Sequence, residues 1–412
     1  MSLITGSIKD VLSIKIKPRY DSYTDQFSRI FMAKMFIISS LIMSVDFFSD
    51  KVSCIVPNTA TNHLSSEFVH SACWIQGFYV YEELTNRTYE TGYFGIPKNV
   101  EMNGINSKGV LCTMIDKTTS LRDLDCKEMT KRYYLQYQYF PFFVASLAIL
   151  FYLPYIVFRL VNNDLITLKD AIKEHEIDAS QLVDSFFNYR YNGGKWRLRM
   201  KVAMNVLIKI TYLGVNIGAF YAMDTLLYGN YADFGVRWVQ WAELNNTMRF
   251  DYMGMRNFPK PGNVLLPAMG FCEINEGATN KIATISNHNK FICEISPNVL
   301  YQYVMTVLWF MFVSSIAVSA LGVLINISQH ALAKALTMYN RRGVTRSLYS
   351  RLTWREVEYL MFMKKKNLPL YGCVVRMIES ERNMGNGKAR RESSAFMNGN
   401  MGNGSLGKSV PI

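Results

Sequence analysis

Along this chain of 412 residues the apolar positions do not alternate evenly with polar ones. They gather into four long runs, residues 30–48, 139–158, 203–228 and 300–327. Each is long enough to cross a hydrocarbon core of about 30 Å, which a helix does in roughly 20 residues. Buried core helices of a large soluble protein are the alternative, and basic residues beside most of the runs argue against it. The fold expected is an all-α membrane protein, a four-transmembrane-helix bundle with disulfide-stapled extracellular loops and a helical cytoplasmic domain that includes 328–380. The segments between the spans are 1–29, 49–138, 159–202, 229–299 and 328–380, with a Gly-, Asn-, Ser- and Met-rich tail over 381–412 that reads as disordered. The second run holds Pro141 and Pro154, which are expected to kink it. A membrane helix tolerates them where neighbouring groups answer the carbonyls that proline frees.

Charge sets an orientation. Residues 1–29 carry five Lys or Arg, 159–209 carry nine against six acids, and the stretch after Ile327 carries 15 against five. Residues 49–138 and 229–299 are balanced, with nine basic to ten acidic and six to six. The positive-inside rule therefore puts both termini in the cytoplasm. The net charge of +13 is accounted for by that asymmetry and by contact with anionic lipid, so no nucleic-acid partner is expected.

Cysteine selects the same side. Cys54, Cys73, Cys112 and Cys126 fall in the first long loop and Cys272 and Cys293 in the second, leaving only Cys373 inside. Even numbers in each loop suit disulfides in an oxidising compartment, formed within each loop or between the two; six cysteines allow 15 connectivities. Zinc would want CxxC pairs or His/Cys clusters, and there are none, so neither metal nor cofactor is expected. The sequons at Asn86 and Asn245 lie in the same loops and are glycosylation candidates.

With this plan in place, several stretches resemble the innexin family. The first loop reads CIVPNTATNHLSSEFVHSACWIQGFY from Cys54, and the second ends FICEISPNVLYQYVMTVLWFMF from Phe291. YDSYTDQFSR, from Tyr20, is similar to the innexin lead-in to the first span. QYQYFPF, continued by LFYLP, is similar to the signature YYQWVPF with LFYxP, with Tyr137, Gln138, Pro141, Phe142, Leu150, Phe151, Tyr152 and Pro154 matching. Gln136, Tyr139 and Phe140 depart from it, and Cys112 and Cys126 are additional. The resemblance implies a large-pore channel: a ring of identical or related subunits, often eight, passing ions and small metabolites at the plasma membrane. Two rings docked across a cell gap would form a gap junction. A non-docking hemichannel is the second reading, since a glycan at the docking face would obstruct a partner. A pore-less membrane adaptor or enzyme is the third.

The resemblance also implies that the amino-terminal segment folds into the pore mouth, making Ile4, Ser7, Ile8, Lys9 and Val11 pore-lining candidates. Ile4, Ile8, Val11 and Leu12 follow helical spacing, which a helix lying on the membrane surface would share. In the first span, Ala33, Ile37, Ser40 and Ser44 form a narrow stripe with Lys34 at its edge, suited to helix packing or to pore lining. Asn205, Lys209, Tyr212 and Asn216 share one face of the third span, which should look toward protein or water, and Gly214 with Gly218 make a GxxxG suited to close backbone approach. Ser393, after Arg390 and Arg391, resembles a basophilic kinase site. GNGSLGKS, from Gly402, satisfies the phosphate-loop pattern but lacks the flanking strand and helix, and no hydrolase motif appears, so enzymatic activity is not expected.

Overall fold

The computed structural model describes residues 22–47, 52–57, 65–87, 89–114, 125–173, 179–187, 194–247, 259–279, 284–339 and 352–380. Ile4, Ser7, Ile8, Lys9, Val11 and Ser393 lie outside them. Among the described residues the fold is mostly helical, with four helices long and apolar enough to span a membrane and with disulfides in the loops between them. Each span exceeds its apolar run at one end or both: Tyr23–Val45, Gln136–Val161, Trp196–Leu226 and Ser296–Gln329. Hydrogen bonding carries a helix past the hydrocarbon edge, where hydropathy no longer marks it.

Helix α1 (23–47) contains a π-helical stretch, Phe27–Met32. The first long loop then supplies β1 (Val52–Cys54), α2 (Ser66–Gln76), β2 (Phe78–Tyr81), β3 (Thr91–Tyr93), β4 (Ile96–Pro97), β5 (Gly104–Ile105), β6 (Leu111–Cys112), β7 (Lys127–Glu128) and β8 (Lys131–Tyr134). Next come α3 (Gln136–Val161), α4 (Asn163–Lys173), α5 (Ala179–Phe186) and α6 (Gly194–Leu226). The second long loop gives α7 (Phe234–Glu243), α8 (Pro261–Leu265), β9 (Met269–Thr279) and β10 (Thr284–Ile295). The chain continues through α9 (Ser296–Tyr339), α10 (Trp354–Lys366) and α11 (368–380).

Among the described residues two compact units emerge, one within 22–154 and 211–321, the other within 155–210 and 322–380. In the first, an apolar core joins all four spans through Phe36, Phe151, Ala219 and Phe312. Hydrocarbon offers no hydrogen bonds, so polar groups at this depth must satisfy one another. Asn216 Nδ2 donates to Ser28 Oγ at 3.2 Å and to Ser319 Oγ at 3.0 Å, and Ser315 donates to Asn216 Oδ1. These four buried side chains tie α1, α6 and α9 together. The polar face expected on the third span is buried at all four positions, Asn205, Lys209, Tyr212 and Asn216. The GxxxG differs from expectation: a Cβ at Gly214 or Gly218 would meet nothing within 4 Å, so among the described residues no backbone approaches there.

Helix α3 runs unbroken through both prolines. Pro141 has no N–H to offer the carbonyl of Tyr137 one turn back. The Tyr301 hydroxyl of α9 stands within 3.4 Å of that oxygen and 3.3 Å of Met43 O, and Ser40 Oγ of α1 donates to Pro141 O at 2.8 Å. The proline turn is therefore a junction of three helices.

In the second unit, Arg355 is fully buried. Its guanidinium meets both oxygens of Asp164 at 3.1 and 2.9 Å, Glu358 at 2.7 Å and Asn162 Oδ1 at 2.7 Å. Burial would raise the Asp164 pKa, but Arg355, the Tyr359 hydroxyl and Lys201 outweigh it and hold the carboxyl down at about 2. A capping box formed by Thr353 and Glu356 starts α10 so that Arg355 lies in its first turn.

Tyr301→Phe should destabilise the first unit by about 1 kcal/mol, the usual net worth of one buried hydrogen bond. In a Pro141→Ala background the loss should be smaller, because residue 141 then supplies the N–H. Thermal unfolding of the four proteins in a double-mutant cycle checks this.

Candidate functional site

The region best built for recognition is the domain made by the two long loops. Strands of both loops form one five-stranded antiparallel sheet in the order β1-β10-β9-β2-β8. β1, β2 and β8 come from the first loop, and β9 and β10 from the second. Cys54 stands directly opposite Cys293 in the β1–β10 register and bonds to it. Cys73, on α2, bonds Cys272 of β9. Cys112 and Cys126 close on each other within the first loop, beside the small sheet β6-β5-β7. Of the arrangements the sequence left open, two bridges therefore join the loops and one lies within a loop. The sulfurs of Cys54, Cys73 and Cys293 lie within 4.8 Å of one another; bound as disulfides they are not metal ligands.

Local sequence explains how Cys73 reaches its partner. Ser65 caps α2, accepting from Phe68 N at 3.2 Å, and Gly77 ends it at φ +91°, a conformation that favours glycine. The chain then reverses into β2 in about one residue. The end of α2 is also held from below: Tyr137 Oη and Gln138 Nε2, at the start of α3, each donate to Trp74 O at 2.6 Å.

Aromatic and charged side chains pack together on this sheet. Tyr79 donates to Glu273, and Lys131 Nζ meets both Glu273 oxygens at 3.0 Å. Lys290 Nζ donates to Tyr81 Oη at 3.0 Å and stands 3.8 Å from the centre of the Phe271 ring. Burial lowers the Lys290 pKa to about 8, with Glu273 opposing and Lys131 reinforcing the shift. Sequence reading missed this cluster. The run Phe78-Tyr79-Val80-Tyr81 carried a strand signal, but Phe271, Glu273 and Lys290 reach it from a loop about 190 residues downstream and Lys131 from about 50.

The pore-lining candidates on α1 divide. Ser40 is buried and engaged with Pro141, so it does not share the exposed face with Ile37. Ser44 is half-buried and donates to Ser40 O at 2.7 Å. The open face carries Lys34, half-buried, then Ile37, Leu41 and Val45, all exposed. Steps of three and four put Leu41 and Val45 on the Lys34–Ile37 face, a signal that small residues at 40 and 44 obscured. The sequon asparagines Asn86 and Asn245 are both exposed. Cys373 is a free, exposed thiol.

Compared with known families, the chain matches the innexin family model over residues 21–381. No curated protein matches the chain.

In a chain-entropy account, closing the Cys54–Cys293 loop is worth up to about 5 kcal/mol. With it closed, Cys73–Cys272 closes a ring of only about 40 residues, worth about 4, and Cys112–Cys126 about 3. Anchored helices already restrict the reduced chain, so these are upper figures. Peptide mapping without reductant should recover the three pairs. Cys73→Ser with Cys272→Ser should abolish recovery of assembled particles by size exclusion, while Cys112→Ser with Cys126→Ser should retain it. The lowered Lys290 pKa means that folding disfavours its charged form. Stability of the loop domain should therefore rise as pH climbs from about 8 through the ordinary lysine value of 10.5, and Lys290→Met should flatten that rise in thermal melts.

Proposed function

The chain belongs to the innexin family, whose members build gap junctions and large-pore channels at the plasma membrane rather than enzymes, and on that premise we propose that it forms a gap-junction channel between cells. The observation that carries this reading is the disulfide-locked sheet stitched from both loops. A docking face must keep its shape when it leaves one partner and meets another. Two covalent bridges between loops that are distant in sequence give that rigidity without help from neighbouring subunits. In this reading the sheet lies outside the cell, which the paired cysteines support, and both termini lie in the cytoplasm, which the Lys and Arg asymmetry supports.

The subunits are proposed to form a homomeric ring, of eight in keeping with the resemblance, with lipid around it. The α1 face of Lys34, Ile37, Leu41 and Val45 is proposed to look toward the pore, with Ser44 at its border. Ile4, Ser7, Ile8, Lys9 and Val11 are proposed to narrow the mouth. Lys34 would place one positive charge per subunit beside the permeation path, raising local anion concentration. Pro141 and Pro154 would shape the second span, and a phosphate on Ser393 would reverse local charge in the tail. A specific observation supports the hemichannel as the second reading: Asn86 and Asn245 are both exposed, so glycans on them would stand in the space that a docking partner needs.

Electron microscopy of purified particles should show rings with a central hole, and paired cells expressing the protein should pass a small fluorescent dye. Rings and single-membrane conductance without dye transfer would select the hemichannel; neither would reject both. Lys34→Glu should move the reversal potential toward cation selectivity in a salt gradient.

A further inference from the structure

Helix α7 belongs to the second long loop, yet it does not stand clear of the spanning helices. Phe36, Phe151, Phe220 and Phe312 meet ring to ring and mark one level across all four spans. From Phe36 outward to Asp46, the next charge on α1, is ten residues, or about 15 Å of helix. From Phe312 outward to Trp309 is three residues, or about 4.5 Å. Trp309 thus lies well inside the span. The first turn of α7 packs on it. A Cβ at Gly235 would fall 2.0 Å from the Trp309 ring, so only glycine fits, and Trp309 Nε1 donates to Ala232 O at 3.2 Å. One turn further along, Trp238 meets the Tyr303 ring.

Several polar groups beside α7 have partners within the subunit. Asp224 accepts from the N–H groups of Tyr231 and Ala232, both at 2.8 Å, and Arg237 pairs with Asp233 at 2.6 Å. Lys260 stands over both the Trp238 and Tyr303 rings, at 5.8 and 5.2 Å. On the side of α7 turned from α9, Val236 and Val239 are exposed, followed toward the far end of the helix by Gln240 and Glu243, and on the spanning helix beside it Tyr303, Val307 and Phe310 are exposed too.

We propose that α7 is a lipid-embedded helix: Val236 and Val239 enter the acyl region of the leaflet on the loop side, with Trp238 and Lys260 at its headgroup boundary. The occupant is lipid because the exposed α7 face continues the exposed face of a membrane span at the same depth. Tryptophan and a cation over aromatic rings suit the zone where hydrocarbon meets headgroups. The proposal rests on the membrane reading of the four spans and not on docking or conductance.

The test uses the full-length channel in phosphatidylcholine nanodiscs, with Cys373→Ser removing the free thiol. Val239→Cys and, separately, Val236→Cys are labelled with bimane. Acyl-brominated phosphatidylcholine should cut the emission by about half, as expected for a face lying about 5–10 Å into the headgroup and acyl boundary, and aqueous iodide should have little effect. Label at Glu101→Cys, on the exposed surface of the first loop, should respond only to iodide. Quenching of the α7 labels by iodide and not by brominated lipid would overturn the proposal by placing the face in water. Quenching by neither would overturn it by showing the face covered by a second copy. A loss of conductance or dye transfer with lipid quenching intact would count against the channel reading and leave this one standing.

Discussion

Hydrocarbon cannot accept or donate a hydrogen bond, and that constraint organises this molecule. Several departures of the spanning helices from simple apolar packing are places where a backbone or side-chain polar group has found a partner. The carbonyl freed by Pro141 meets the Tyr301 hydroxyl. Asn216 is matched to Ser28, Ser315 and Ser319 across three helices. Asp224 takes up the N–H groups released where the chain turns after α6. Helix association in lipid gains little from hydrophobicity, so these directed contacts do much to fix which helix meets which.

Beyond the spans the constraint reverses. Water satisfies any exposed backbone, so loop order has to be imposed by pairing and covalent bonds. The loop domain does both at once, with a sheet in which β10 and β9 from one loop lie between β1 on one side and β2 and β8 on the other, all three from the other loop. Two disulfides then hold the two loops in register. The cluster of Tyr79, Tyr81, Lys131, Glu273 and Lys290 adds a polar core that costs desolvation and in return fixes side-chain geometry, as the displaced Lys290 pKa records. A surface of this kind suits recognition of another rigid surface. The second unit follows a related logic through the fully enclosed Arg355, whose charge is met by Asp164 and Glu358 from separate helices.

The four spans, the two loops and the family resemblance were legible in the chain because each depends on local pattern: run length, charge beside the runs, cysteine count per loop, and short motifs such as QYQYFPF. Even the buried polar face of the third span followed from spacing alone, since residues four and three apart on a helix must share a side. Cysteine pairing was not legible, because sequence separation does not reveal which strands become neighbours. Nor was the role of Ser40, whose small side chain suits a pore wall and a helix contact equally well. Only the position of Pro141 on the facing helix decides between them. The same holds for α7, whose apolar residues mark it as a helix with two faces but whose depth is set by Trp309, about 70 residues away. Periodicity and composition determined what each segment is, because hydrogen bonding and transfer free energy act locally; which segments meet, and at what level in the membrane, was decided by long-range packing, because contact depends on three-dimensional distance rather than on distance along the chain.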